Sequence, residues 1–133
     1  TKKFFNLSGP ILDTLERGGI LLIDELDSRL HPLLTREIAR LFNSNKTNTN
    51  NAQLIFATHD TNLLNARIFR RDQIWFTEKN RIGATDLYSL SEYRDNLSGD
   101  KIRNDASFEP DYIRGRYGAI PYLGNFAALF GEE

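Results

Sequence analysis

Four aliphatic residues in succession, Ile20-Leu21-Leu22-Ile23, run directly into the acids Asp24-Glu25. A continuous aliphatic run of that length is the pattern of a strand buried on both faces of a parallel sheet. Gln53-Leu54-Ile55-Phe56-Ala57 reads as a second strand of the same kind. Between them Pro32 can open a helix at its first position, and Leu34, Ile38, Leu41 and Phe42 then form an apolar stripe with Arg36, Glu37 and Arg40 outside it. The order strand, helix, strand implies a right-handed parallel crossover, so the class is α/β.

Ahead of the first strand, Phe4, Leu7, Ile11 and Leu15 share one face of a helix. Pro10 removes an amide and crowds the carbonyl of Asn6, which predicts a kink or two short helices, and Gly18-Gly19 ends the element. Asn43 to Asn51 is a polar loop with nothing to bury. Beyond Leu64, segments 73–77 and 85–90 read as an antiparallel hairpin turning through Asn80 to Gly83. Residues 97–110 look irregular, and Pro110 to Arg116 reads as a short helical stretch with Gly115 and Gly118 as breakers. At 133 residues this suits a single domain, with a core over 1–64 and a hairpin plus aromatic-rich end over 65–133.

Composition excludes several classes. The formal net charge is −1, so no global field recruits nucleic acid or an anionic membrane. The absence of cysteine rules out disulfides and thiolate metal sites. No apolar run, Gly19 to Ile23 included, is long enough to cross a bilayer, and no secretory leader pattern is present, so the cytoplasm is the expected location. With no methionine and an amphipathic start at Thr1-Lys2-Lys3, the chain reads as part of something longer.

The chemistry gathers at strand ends. Ligands of open α/β sheets bind at the carboxyl ends of the strands, and there Asp24 and Glu25 suit work on Mg²⁺ and phosphate. One carboxylate can hold the metal or its water while the other polarises an attacking water. His59, in Ala57-Thr58-His59-Asp60, closes the second strand and can donate to a phosphate oxygen. His31, in Ser28-Arg29-Leu30-His31-Pro32, flanks the same edge. The bland alternative is that the acids merely terminate a buried strand and each histidine is a hydrogen-bonded structural residue.

Position for position, Asp24-Glu25-Leu26-Asp27-Ser28-Arg29-Leu30-His31 resembles the Walker B strand end and D-loop of ABC-type ATPases, and Ala57-Thr58-His59-Asp60 resembles their switch-histidine segment. His31 stands where most members carry Asp. His-Pro at this point is similar to the OLD-like, RecF-like AAA/ABC ATPases of bacterial abortive infection and phage defence. Arg70 to Phe76 and Gly115 to Pro121 look like the same branch. The resemblance implies that Asp24 binds Mg²⁺ through water and that Glu25 is the general base. It implies that Ser28, Leu30 and His31 contact a partner protomer across an ATP-sandwich homodimer, and that His59 senses the γ-phosphate. Thr1 would be the last residue of the signature loop. The expected architecture is then a partial P-loop NTPase lobe, with flanking helices on parallel strands and a C-terminal hairpin.

No Gly-x-x-x-x-Gly-Lys-Ser/Thr occurs in the chain, so little here can cradle a triphosphate. The expectation is a chain that is inactive alone and belongs to an ATP-hydrolysing protein, whose dimer closure drives a linked effector protein. An apolar surface left open where further strands belong would favour self-association. Two other classes compete. A metal-dependent hydrolase or nuclease could use Asp24, Glu25, Asp27, His31 and His59 as ligands, although adjacent acids lack spaced ligand geometry. A non-catalytic interaction module could retain the sheet. In the tail, arginines interleave with Phe69, Trp75, Phe76, Tyr88, Tyr93, Phe108, Tyr112, Tyr117, Tyr122, Phe126 and Phe130. Such a pattern can stack on nucleic acid or face a protein partner. Eight Arg and two Lys from Arg67 onward face eleven Asp and Glu, which favours a small core with a solvated face.

Overall fold

Helix α1 (Lys2–Arg17) runs through Pro10 as one element. The expectation of two short helices is therefore corrected. Proline costs the helix one backbone bond, but Ile11 and Leu15 on the next turns are buried at 3% and 8% exposure and hold the helix to the core. The Thr14 hydroxyl adds a bond to the Pro10 carbonyl at 2.7 Å. The computed structural model describes residues 2–80, 82–93 and 108–121; Thr1, the irregular stretch before residue 108 and the aromatic positions beyond 121 lie outside the described residues. The chain divides into two units, residues 1–68 and residues 69–133.

In the first unit, α1 ends at Gly18, whose φ of +72° is left-handed. The amides of Gly18 and Gly19 both bond the Thr14 carbonyl, at 3.0 and 3.1 Å. Strand β1 (Ile20–Ile23) follows, then helix α2 (Pro32–Asn43) and strand β2 (Gln53–Phe56). The strands pair in parallel, with Ile20 opposite Gln53 and Ile23 opposite Phe56. Alternation is clean: Leu21, Ile23, Leu54 and Phe56 pack on a core of Ile11, Leu15, Leu26, Leu30, Ile38, Phe42 and Ala52.

The other sheet face is open, with Ile20, Leu22 and Ile55 exposed at 60%, 71% and 54%. Burial on both faces, expected from the unbroken aliphatic runs, is thus not met by the described residues. Each such side chain left in water forgoes roughly 1.5–3 kcal/mol of burial. In α2 the buried stripe is Thr35, Ile38, Ala39 and Phe42, so the helix is turned toward its small residues, with Leu34 and Leu41 at the margin.

The asparagine-rich loop is not idle. Asn48 donates its side-chain amide to the carbonyls of Phe42 and Ala52 at 2.8 Å each and accepts from the Ala52 amide at 2.7 Å. The Thr47 hydroxyl bonds the Leu41 carbonyl at 2.6 Å, and Asn50 bonds the Glu16 carbonyl at 2.7 Å. These side chains satisfy the orphan carbonyls at the C-termini of both α2 and α1.

The second unit contains β3 (Trp75–Lys79) and β4 (Thr85–Ser89), antiparallel with Trp75 opposite Ser89, and the short helix α3 (Phe108–Ile113). Gln73 belongs to a 3₁₀ turn, so the first hairpin strand starts two residues later than expected. The Asn80 carboxamide accepts from the Ile82 and Ala84 amides to close the turn. Phe76 stacks on Tyr112 with ring centroids 5.4 Å apart, and Tyr117 lies 5.9 Å from Phe76. Tyr88 and Tyr112 donate to the carbonyls of Tyr117 and Ala119 at 2.6 and 2.9 Å, and Tyr93 to that of Arg116. Burial pushes the Tyr88 hydroxyl up to about 12, with Glu78 adding to it, and burial beside Asp111 raises Tyr117 further still. These rings form a core that pins the 115–119 turn.

A Cβ at Gly18 would overlap the Asn50 carbonyl oxygen, on top of the left-handed strain, whereas Gly83 is left-handed with open space around it. Gly18→Ala is expected to cost about 3 kcal/mol in urea unfolding and Gly83→Ala about 1 kcal/mol. Equal costs would show that the Gly18–Asn50 approach is not tight.

Candidate functional site

The rim of the first unit is built by extending the β1–β2 ladder past the strand ends. The Ala57 amide donates to the Ile23 carbonyl at 3.0 Å, and the Ala57 carbonyl accepts from the Leu26 amide at 3.1 Å. A regular parallel ladder would bond Ala57 to residues 23 and 25. Here one extra residue intervenes, so Asp24-Glu25 forms a bulge, and both side chains are exposed at the carboxyl end of the sheet.

Glu25 has φ +48°, a left-handed conformation that costs a non-glycine residue roughly 1–3 kcal/mol. Three contacts hold it there. Leu26 is fully buried, with 0% exposure. The Ser28 amide donates to the Glu25 carbonyl at 3.0 Å. From α1, the Lys3 ammonium donates to the same carbonyl at 2.7 Å. A second turn follows, with Arg29 at φ +60° and the Leu30 amide on the Asp27 carbonyl at 3.0 Å.

The Leu30 side chain is turned into the core and anchors this loop from within the chain, leaving Arg29 exposed and Ser28 half-buried at its surface. His31 caps α2: its Nδ1 accepts from the Leu33 amide at 3.2 Å, with Pro32 in the first turn. That bond needs an unprotonated Nδ1, and the imidazole is otherwise exposed.

His59 comes to the same rim through Asp27. One carboxylate oxygen of Asp27 accepts from the Thr58 hydroxyl at 2.6 Å and from the His59 amide at 3.4 Å. The Thr58 hydroxyl in turn accepts from the Asp60 amide at 3.0 Å. Partial burial alone would raise the Asp27 carboxyl. The Thr58 bond, the backbone amides of Asp27 and His59 and the nearby His59 imidazole outweigh it, so the group sits below its ordinary value of 3.8.

Asp27 and Thr58 were not singled out together by sequence reasoning, yet they are what joins the loop after β1 to the segment after β2. The available signal was a hydroxyl residue directly before His59 and a third acid two residues beyond Glu25.

Lys2, Lys3 and Asn6 of α1 and Ser28 and Arg29 of the loop line an open cleft of about 600 Å³ beside the acid pair. Three of its five lining residues are cationic, so its wall carries a local positive charge. Among the described residues, no three His, Asp or Glu side chains converge as a group able to hold a metal ion. The hydrolase reading, with Asp24, Glu25, Asp27, His31 and His59 as a ligand cage, therefore lacks its cage. Thr1 lies outside the described residues.

Residues 1–65 match the family profile described as "AAA domain, putative AbiEii toxin, Type IV TA system". The match covers the whole of this rim and supports an AAA-type ATPase-related domain. No curated protein and no solved structure gives a significant match. No helix among the described residues is long and apolar enough to cross a membrane.

The depressed Asp27 carboxyl has a signed consequence. A group whose folded value lies below its unfolded value stabilises the fold above the unfolded value and loses that contribution as pH falls through the folded one. Asp27→Asn keeps an acceptor oxygen but has no charge to lose. The stability difference between the parent and Asp27→Asn is expected to be level from neutral pH down to roughly pH 5 and to shrink below about pH 4 in pH-resolved urea unfolding. A difference that grows on acidification would contradict the assignment.

Proposed function

We propose that this chain is the Walker B, D-loop and switch-histidine part of an ABC-type ATPase, the phosphate-binding loop being supplied elsewhere in the full-length protein. The observation that carries the reading is the shared rim. The bulged Asp24-Glu25 pair and the His59 segment sit on neighbouring parallel strands and are tied together through Asp27 and Thr58. The family match over the same residues supports it independently.

The donor set fits a magnesium–triphosphate substrate in part. Asp24 offers one exposed hard carboxylate, and magnesium is commonly held by one or two carboxylates plus substrate phosphates. When bound, Mg²⁺ would neutralise charge developing on the phosphates. Glu25, with its carboxylate exposed and its backbone held from three sides, is the proton acceptor for an attacking water. His59 donates toward the terminal phosphate, its backbone fixed by Asp27.

The cationic cleft beside Ser28 and Arg29 suits phosphate brought by a second protomer in a nucleotide-sandwich homodimer, with Lys2 and Arg29 facing that phosphate while the Lys3 ammonium is engaged by the Glu25 carbonyl. His31 orients the D-loop by capping α2. No run of glycine amides with a lysine exists in the chain to hold the remaining phosphates.

The family description names an AbiEii toxin and a Type IV TA system. Together with the His-Pro departure in the D-loop, it supports a role for the proposed ATPase in phage defence or a toxin–antitoxin pair, with closure of the dimer acting on an effector protein.

In the full-length protein, Glu25→Gln is expected to lower ATP hydrolysis by about 100-fold or more while leaving ATP binding intact. Hydrolysis at the parental rate would remove Glu25 from the role of base. Calorimetric titration of residues 1–133 alone with micromolar ATP is expected to give no saturable heat. Saturable heat would show that the chain binds nucleotide without a phosphate loop.

A further inference from the structure

We infer that Lys3 is a positioning residue for Glu25, an inference that rests on the reading of Glu25 as the base. Lys3 lies 22 residues from Glu25 in sequence, on the first turn of α1, and is half-buried. Its ammonium spans from the helix to the Glu25 main-chain carbonyl at 2.7 Å. A charge-assisted donor at that distance is among the stronger hydrogen bonds available to a surface turn.

The choice of acceptor matters. An ammonium on the Glu25 carboxylate would pair off the charge that must take a proton from water. On the carbonyl it fixes the peptide and leaves the carboxylate open. The residue it fixes is one that the backbone does not hold unaided, since Glu25 is left-handed at φ +48° without being glycine. The Ser28 amide occupies the same carbonyl from inside the loop, so Lys3 supplies the contact that comes from another element.

Two consequences separate this role from simple support of the fold. First, the loop is anchored independently by the buried side chains of Leu26 and Leu30 and by the Asp27–Thr58 bond, so losing Lys3 leaves the loop in place and loosens only the Glu25 peptide. Small misplacements of a base lower turnover far more than affinity. Second, Lys3 also lines the cationic cleft, so its side chain links the wall of the cleft to the Glu25 main-chain carbonyl.

The test is steady-state ATP hydrolysis by the full-length protein carrying Lys3→Met, Lys3→Gln, Lys3→Arg or Lys46→Met. The last removes an exposed lysine of the asparagine loop as a charge control. Lys3→Met and Lys3→Gln are expected to lower kcat about tenfold with KM for ATP changed less than about twofold, and Lys3→Arg to recover at least about half of the lost kcat. Thermal unfolding of each variant confirms folded protein, and having two neutral replacements keeps the comparison with Arg intact if one misfolds. Parental kcat in the neutral variants, or a loss that Lys3→Arg does not recover, overturns the inference. Glu25→Gln measured alongside separates the two levels: if it turns over normally the base assignment fails, whereas if it is dead and Lys3→Met is normal only the positioning role fails.

Discussion

Ala57 bonds to Ile23 on one side and to Leu26 on the other, and the site depends on this pair of bonds. They carry parallel pairing one step beyond the strands and force an extra residue into the path of the first. That extra residue puts Glu25 into a left-handed conformation and turns the loop back into the core at Leu26. With the loop so turned, Asp27 lies under Thr58 and the His59 amide, and Leu30 returns to the core before His31 opens α2.

Anchoring and exposure are separated along this loop. Leu26, Leu30 and the half-buried Asp27 hold it, His31 caps α2 while staying exposed, and Asp24, Glu25 and Arg29, with His59 beside them, are exposed. Strain at Glu25 is offset by burial next to it and by a cation from α1, an arrangement found where a side chain has to be held in a conformation its backbone disfavours. At the other ends of the helices the two asparagines bond C-terminal carbonyls of α2 and α1.

Much of the first unit was legible in the residues. Ile20 to Ile23 and residues 53–57 read as neighbouring parallel strands because each aliphatic run is too short for a buried helix and ends in acids or in Thr-His-Asp. Three features were not legible. The open sheet face was hidden because an unbroken aliphatic run looks the same whether one face or two is covered; only the exposure of Ile20, Leu22 and Ile55 shows it. The asparagine loop was hidden because solvated loops and capping loops draw on the same residues, and only three-dimensional proximity makes Asn48 and Asn50 caps. The bulge was hidden because ladder register has no local sequence signal beyond the acids themselves. In the second unit, the hairpin could be read from its turn residues. Tyr88, Tyr93 and Tyr112, a residue type that also suits a stacking surface, declare themselves as core by donating to the carbonyls of residues 116–119 around Phe76.

The central claim is that one rim, assembled from two neighbouring strands, serves a single nucleotide. A crystal structure of the full-length protein with Mg²⁺ and a non-hydrolysable ATP analogue tests it most directly. The Asp24 carboxylate is expected to face the metal, Glu25 and His59 to face the terminal phosphate, and Ser28 and Arg29 to meet a second protomer. Nucleotide bound away from this rim, with Glu25 and His59 facing solvent, would contradict it.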